Sequence, residues 1–67
     1  MTKRELEQVR RRAEKEPGVA IAGIRIWPQR GGRSYELECV DTITGYPFVV
    51  HSREDWDRRA ADRMLHN

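Results

Sequence analysis

The spacing of apolar residues changes period twice along this chain, and that change restricts the fold more than any single motif. Leu6, Val9 and Ala13 recur at intervals of three and four, the period of one helix face. From Ser34 to Asp41 the period is two, with Tyr35, Leu37 and Cys39 on one side and Glu36, Glu38 and Val40 on the other. Trp56, Ala60 and Met64 then restore a helical stripe at i, i+4 and i+8. These periods call for a helix, a group of strands and a second helix, in that order.

The boundaries carry their own signals. Thr2 and Glu5 have capping-box spacing at the start of a helix over residues 2–16, and Pro17-Gly18 stops it. Along it, Glu7–Arg11, Arg10–Glu14 and Arg12–Glu16 are i,i+4 pairs of opposite charge. Val19 to Trp27 is rich in β-branched residues and predicts a strand with Ile24 and Ile26 inward and Arg25 and Trp27 outward. Val19 and Ile21 have the opposite phase, so a bulge at Gly23 is expected to switch faces. Residues 28–33, Pro-Gln-Arg-Gly-Gly-Arg, predict the hairpin connection.

Asp41-Thr42-Ile43-Thr44-Gly45 predicts a turn, and Tyr46 to His51 a third strand with Phe48 and Val50 inward. Pro47 cannot donate to a ladder and marks a sheet edge. Ser52 predicts the cap of the second helix, with Asp55 three residues on; Glu54 and Asp55 suit its positive end. Glu54–Arg58, Asp55–Arg59 and Arg58–Asp62 can pair along it. The expected fold is a single α+β domain over residues 1–67, α-β-β-β-α, with a three-stranded antiparallel sheet and both helices on one face.

Composition narrows the function. A chain of 67 residues buries only about 60% of its unfolded surface, which leaves little interior from which to carve a catalytic pocket. Thirteen basic and 11 acidic residues leave a net charge of +2, far from the balance of a charge-driven binder. The lone Cys39 cannot form an internal disulfide, so a reducing, cytoplasmic setting is expected. No stretch approaches the roughly 20 apolar residues of a membrane span, and the N-terminal residues enter a charged helix without an apolar signal core.

Cys39, His51 and His66 lack the spacing of a metal site, so neither a metal nor another cofactor is expected. His51 stands beside Ser52 and near Glu54, but helix capping and the helix dipole account for those two, and no enzyme is expected. Arg30-Gly31-Gly32-Arg33 lacks the strand–loop–helix context of a nucleotide-binding loop.

Two surfaces remain. The open sheet face is expected to carry Arg25, Trp27, Glu36, Glu38, Val40, Val49 and His51, a mixture suited to a protein partner. Trp27 is either the anchor of that contact or a satellite of the core. Opposite the apolar stripe of the first helix, Arg4, Gln8, Arg11 and Lys15 form a basic ridge. With Arg30 and Arg33 at the hairpin tip it offers the alternative, a module for duplex DNA or RNA. The leading expectation is a non-enzymatic protein that docks onto another protein, and a homodimer through the exposed sheet stays open. Phage and mobile-element inhibitors of host machinery share this size and class, and by that analogy the action is steric occlusion.

The helix–three strands–helix order resembles a double-stranded-RNA-binding domain across nearly the whole chain. That family grips phosphates with lysines at the start of its second helix. Here Ser52-Arg53-Glu54-Asp55-Trp56-Asp57 carries three acids, and the hairpin lacks the family's Gly-Pro-x-His. Residues 24–65 also resemble the sheet-type DNA-binding domains of phage integrases, which read the major groove with an open sheet. On that face Glu36 and Glu38 would repel phosphate. Both resemblances are of topology, without a shared motif.

Overall fold

The computed structural model describes residues 1–66, with side chains through Arg63. In chain order the elements are α1 (Lys3–Lys15), β1 (Val19–Gln29), β2 (Gly32–Asp41), β3 (Pro47–Val50) and α2 (Arg53–His66). The sheet is antiparallel in the order β1-β2-β3. Both helices lie on one face of it, as the two helical stripes require. The core joins Leu6, Val9 and Ala13 of α1 to Trp56 of α2 and to Leu37, Cys39 and Val50 of the sheet. Met1, Val19, Ile21, Tyr35 and Phe48 pack around these, and the Arg59 guanidinium lies over the Phe48 ring at 5.0 Å. Met64 of the expected stripe lies outside the described side chains. Among the described residues no helix is long and apolar enough to cross a membrane.

The phase change in β1 is a bulge. Ile21 pairs with Cys39 and Gly23 with Glu38, so Ala22 is an extra residue with no partner in β2. Val19, Ile21, Ile24 and Ile26 consequently stand on the helix side, opposite Asp41, Cys39, Leu37 and Tyr35 in turn. Two details differ from the sequence reading. The strands run further than expected, through Pro28 and Gln29 and from Gly32, so the hairpin turn is only Arg30-Gly31, with Gly31 at φ +86°. Pro28 is accepted in the ladder because β1 is an edge strand. The third strand is shorter and ends at Val50, leaving His51 just beyond it.

Ile24 and Ile26 face the helices yet stay 42% and 54% exposed. The reason is length. A helix of 13 residues spans about 20 Å, whereas a strand of 11 residues spans about 36 Å. Tyr35 donates its N–H to the Met1 carbonyl at 2.8 Å, and the Met1 amine donates to the Tyr35 carbonyl at 2.9 Å. The start of α1 is thus level with Tyr35, and the hairpin beyond it projects without helix cover.

The helix ends are tied to one another. Thr2 Oγ1 accepts the Glu5 N–H at 3.1 Å, as the capping spacing predicts. Glu5 does not reciprocate; its carboxylate accepts the Arg53 N–H at 2.7 Å and so caps the other helix. Ser52 Oγ accepts the Asp55 N–H at 3.0 Å, while Asp55 Oδ2 accepts the His51 N–H at 3.0 Å. Arg10–Glu14 and Asp55–Arg59 form as spaced, each at 3.1 Å. Glu7 meets Arg10 rather than Arg11, and Arg12 crosses to Asp57 of α2 at 3.1 Å instead of reaching Glu16. The exposed pairs of Arg10 and Arg12 fix geometry more than they add stability.

Arg63 closes the far end. Its Nη2 donates to the Pro17 carbonyl at 2.8 Å and its Nη1 to Asp41 Oδ2 at 3.3 Å. The turn it grips needs Gly18, whose φ is +82° and whose added Cβ would sit 2.5 Å from Arg63 Nη2. Arg63 can move aside, at the loss of its bond to Pro17, but the left-handed backbone strain stays. Gly18→Ala is expected to lower stability by about 1–2 kcal/mol. Urea denaturation followed by circular dichroism measures this, and an unchanged midpoint would contradict it.

Cys39 belongs wholly to the core. Burial pushes its thiol up to about 11, with Arg59 acting weakly in the opposite sense. The thiolate that alkylating reagents need is therefore scarce at pH 8. Modification by a disulfide reagent is expected only at the rate of global opening, with a prompt reaction in denaturant. Fast labelling of the native protein would show that the β2–α1 packing is looser than described.

Candidate functional site

The open face of the sheet is built from the outward positions of three strands. Arg25 and Trp27 come from β1, Glu36, Glu38 and Val40 from β2, Val49 from β3, and His51 follows directly after it. Pairing places Arg25 opposite Glu36, Trp27 opposite Ser34 and Glu38 opposite Val49. The side chains then reach along the diagonals. Arg25 Nε donates to Glu38 Oε1 at 2.5 Å, and Trp27 Nε1 donates to Glu36 Oε1 at 2.6 Å. The other oxygen of Glu36 accepts a short hydrogen bond from His51 Nδ1.

Glu36 is the hub of this face. Its side chain is only 16% exposed, while the imidazole of His51 beside it is 63% exposed. The indole N–H of Trp27 first, and then His51, hold the Glu36 carboxyl below the usual glutamate range, with a smaller contribution from the charge of Arg25. Trp27 itself is 51% exposed. It lies on the open face with its polar edge satisfied and the rest of the ring available, and it is no satellite of the core. Val40 and Val49 are half-buried neighbours on the same face.

The five basic residues are placed differently. Arg4, Arg11 and Lys15 are exposed on the outer side of α1, opposite its buried stripe. Arg30 and Arg33 are exposed at the hairpin end. The ridge therefore runs over the helix layer, and the tip projects from the sheet past the start of α1. They do not merge into one cationic surface. Arg25, the cation nearest the centre of the open sheet, is held by Glu38.

In sequence His51 has Ser52 and Glu54 for neighbours, whereas in the fold its ring bonds Glu36. A histidine oriented by a carboxylate is half of an acid–base constellation. The remaining half is missing among the described residues. The Ser52 hydroxyl is engaged as the cap of α2, and His51 stands on a flat, open surface. A groove of about 530 Å³ between α1 and β1 and a hollow of about 200 Å³ beside Phe48 and Arg63 both lie away from Glu36 and His51. Cys39 faces the helices and His51 the open side, so these two cannot share a metal ion. What this face can do is present an aromatic ring, two valines and polar groups already paired with one another to a flat partner.

Sequence reasoning missed Ile24 and Ile26 as surface residues. The signal was there: even a strand from Val19 to Trp27 is longer than a helix over residues 2–16 can cover. Arg10 and Glu14 were read only as an intrahelical pair, yet they also line the groove with Val19, Ile21 and Ile24.

Compared with known proteins, the chain matches no protein-family model, no curated protein and no solved structure.

The depressed titration of Glu36 fixes a pH dependence. The folded state holds the Glu36 proton less tightly than the unfolded chain does. The stability from its bonds to Trp27 and His51 is therefore present above the unfolded glutamate value and lost as pH falls through the lower folded value. Trp27 emission is expected to change over that acid interval, against a constant background from buried Trp56, and Glu36→Gln should remove the step. An acid transition of Trp27 that persists in Glu36→Gln would contradict the assignment.

Proposed function

We propose that this chain is a non-enzymatic docking protein whose open sheet face binds another protein. The observation that carries this reading is Trp27, half-exposed and held in place by its bond to Glu36. An aromatic ring fixed before binding loses little freedom on docking, and such residues dominate the energetics of protein contacts. Around it the polar groups are paired locally, Arg25 with Glu38 by charge and His51 with Glu36 by a hydrogen bond. A partner meets a surface whose polar groups already have partners, with apolar area at Val40 and Val49. The mode of action is steric, the occlusion of whatever surface on the target the sheet covers. An accessory or inhibitor protein is the class this reading belongs to.

Nucleic acid is the less favoured partner. Phosphate binding draws on several cations converging on one surface. Here the ridge of Arg4, Arg11 and Lys15 and the tip of Arg30 and Arg33 point to different sides of the molecule, and the open sheet carries two glutamates.

The test compares two variants in one capture experiment. A partner recovered from extract by the wild-type chain is expected to lose at least about tenfold in affinity with Trp27→Ala and to be held equally by the Arg11→Ala/Lys15→Ala double variant. Fluorescence anisotropy with labelled duplexes is expected to show no association at low salt. Binding that falls by orders of magnitude between about 50 and 200 mM salt, and with the ridge variant, would overturn the reading in favour of nucleic acid.

A further inference from the structure

The outer edge of β1 has a symmetry of its own. β1 is an edge strand, and its outer side has no strand partner among the described residues. From Val19 to Ile26 its sequence reads Val-Ala-Ile-Ala-Gly-Ile-Arg-Ile, which is nearly palindromic about the Ala22–Gly23 bond. Apolar residues of this run on the helix side are Val19 and Ile21 before the bulge and Ile24 and Ile26 after it. We propose that β1 pairs antiparallel with β1 of a second copy of this chain, about a two-fold axis through the Ala22–Gly23 bond. The inference concerns the strand edge and stands apart from the proposed docking face.

Such an axis sets Ile21 of one copy across from Ile24 of the other and Val19 across from Ile26. The two small residues Ala22 and Gly23 meet at the centre, and on the open side Ala20 lies across from Arg25. A bulge ordinarily protects an edge, because it shifts one strand of a pair by a residue and throws half of its side chains onto the wrong face. With the axis on the bulge both strands shift at the same point. Every helix-side residue then meets a helix-side residue. Without the bulge, this register would pair each apolar residue with the opposite face.

The unsatisfied surface fits the same occupant. Ile24 and Ile26 are left 42% and 54% exposed on the helix side of the strand, and a second copy would cover them with Ile21 and Val19. The helix above the edge is self-complementary as well. Arg10 and Glu14 flank the groove along β1, with Val19, Ile21 and Ile24 in its floor. Two-fold rotation sets the two copies of α1 antiparallel, so that Arg10 of each approaches Glu14 of the other. The product is a continuous six-stranded sheet with four helices on one side. Both open faces, with their Trp27 clusters, stay uncovered.

Light scattering of the full chain at high micromolar concentration tests the pairing. The expected mass is twice the 7.9 kDa of one chain. Ile24→Lys puts an ammonium against Ile21 of the second copy and is expected to return the mass to a single chain, with an unchanged circular dichroism spectrum. Arg10→Glu, on the exposed side of α1, is expected to weaken the dimer by about tenfold, and adding Glu14→Arg to it should restore the dimer. Val49→Lys alters only the open face and is expected to leave the doubled mass in place. A single-chain mass for the wild type would overturn the proposal, as would a dimer that Ile24→Lys leaves intact or that Val49→Lys dissolves.

Discussion

The difference in rise between helix and strand governs this molecule. Each residue adds about 1.5 Å to a helix and about 3.3 Å to a strand. A chain of 67 residues that spends 21 of them on β1 and β2 has too few left to roof the whole hairpin. Two helices of 13 and 14 residues cover the part where Leu37, Cys39 and Val50 lie, and the rest of the hairpin extends beyond them. The long axis of 41 Å against 19 and 15 Å follows from this. So does the exposure of Ile24 and Ile26 on the helix side of the sheet. A core this thin is held at its ends: Glu5 caps the second helix, and Arg63 ties Asp41 to Pro17.

Local rules made most of the fold legible in advance. Two changes of hydrophobic period define helix, strands and helix, and Thr2, Pro17-Gly18 and Ser52 set their limits to within a residue or two. Even the bulge could be read, because Val19 and Ile21 could share a face with Ile24 and Ile26 only if one extra residue lay between them. These features depend on residues a few positions apart, where backbone geometry leaves little choice. The hairpin was misjudged for a related reason. Pro28 and two glycines read as a loop, but an edge strand accepts a proline and the ladder runs on to Gln29.

What could not be read were the partners of long side chains. Glu5 was expected to turn back on its own helix and caps the other one, while Arg12 crosses to Asp57. Glu36 was assigned to the open face, but its role as hub between Trp27 and His51 depends on residues 9 and 15 positions away in sequence. The candidate face is therefore half legible: alternation names its members, and only the assembled sheet shows that they satisfy one another. The five basic residues illustrate the reverse. Arg4, Arg11 and Lys15 form a ridge on a helical wheel that Arg30 and Arg33 could extend, and the fold divides the five between helix layer and hairpin tip.

Both functional proposals need the uncovered hairpin to be an ordered surface before anything binds it. Residue-resolved amide hydrogen exchange of the native chain in dilute solution measures that directly. The account predicts that amides in the β1–β2 ladder from Arg25 to Ser34 are protected well above unfolded rates, though less than that of Leu37 beneath the helices. Exchange at unfolded rates throughout this stretch would contradict it. The Trp27 platform and the β1 edge would then have no fixed form to offer a partner.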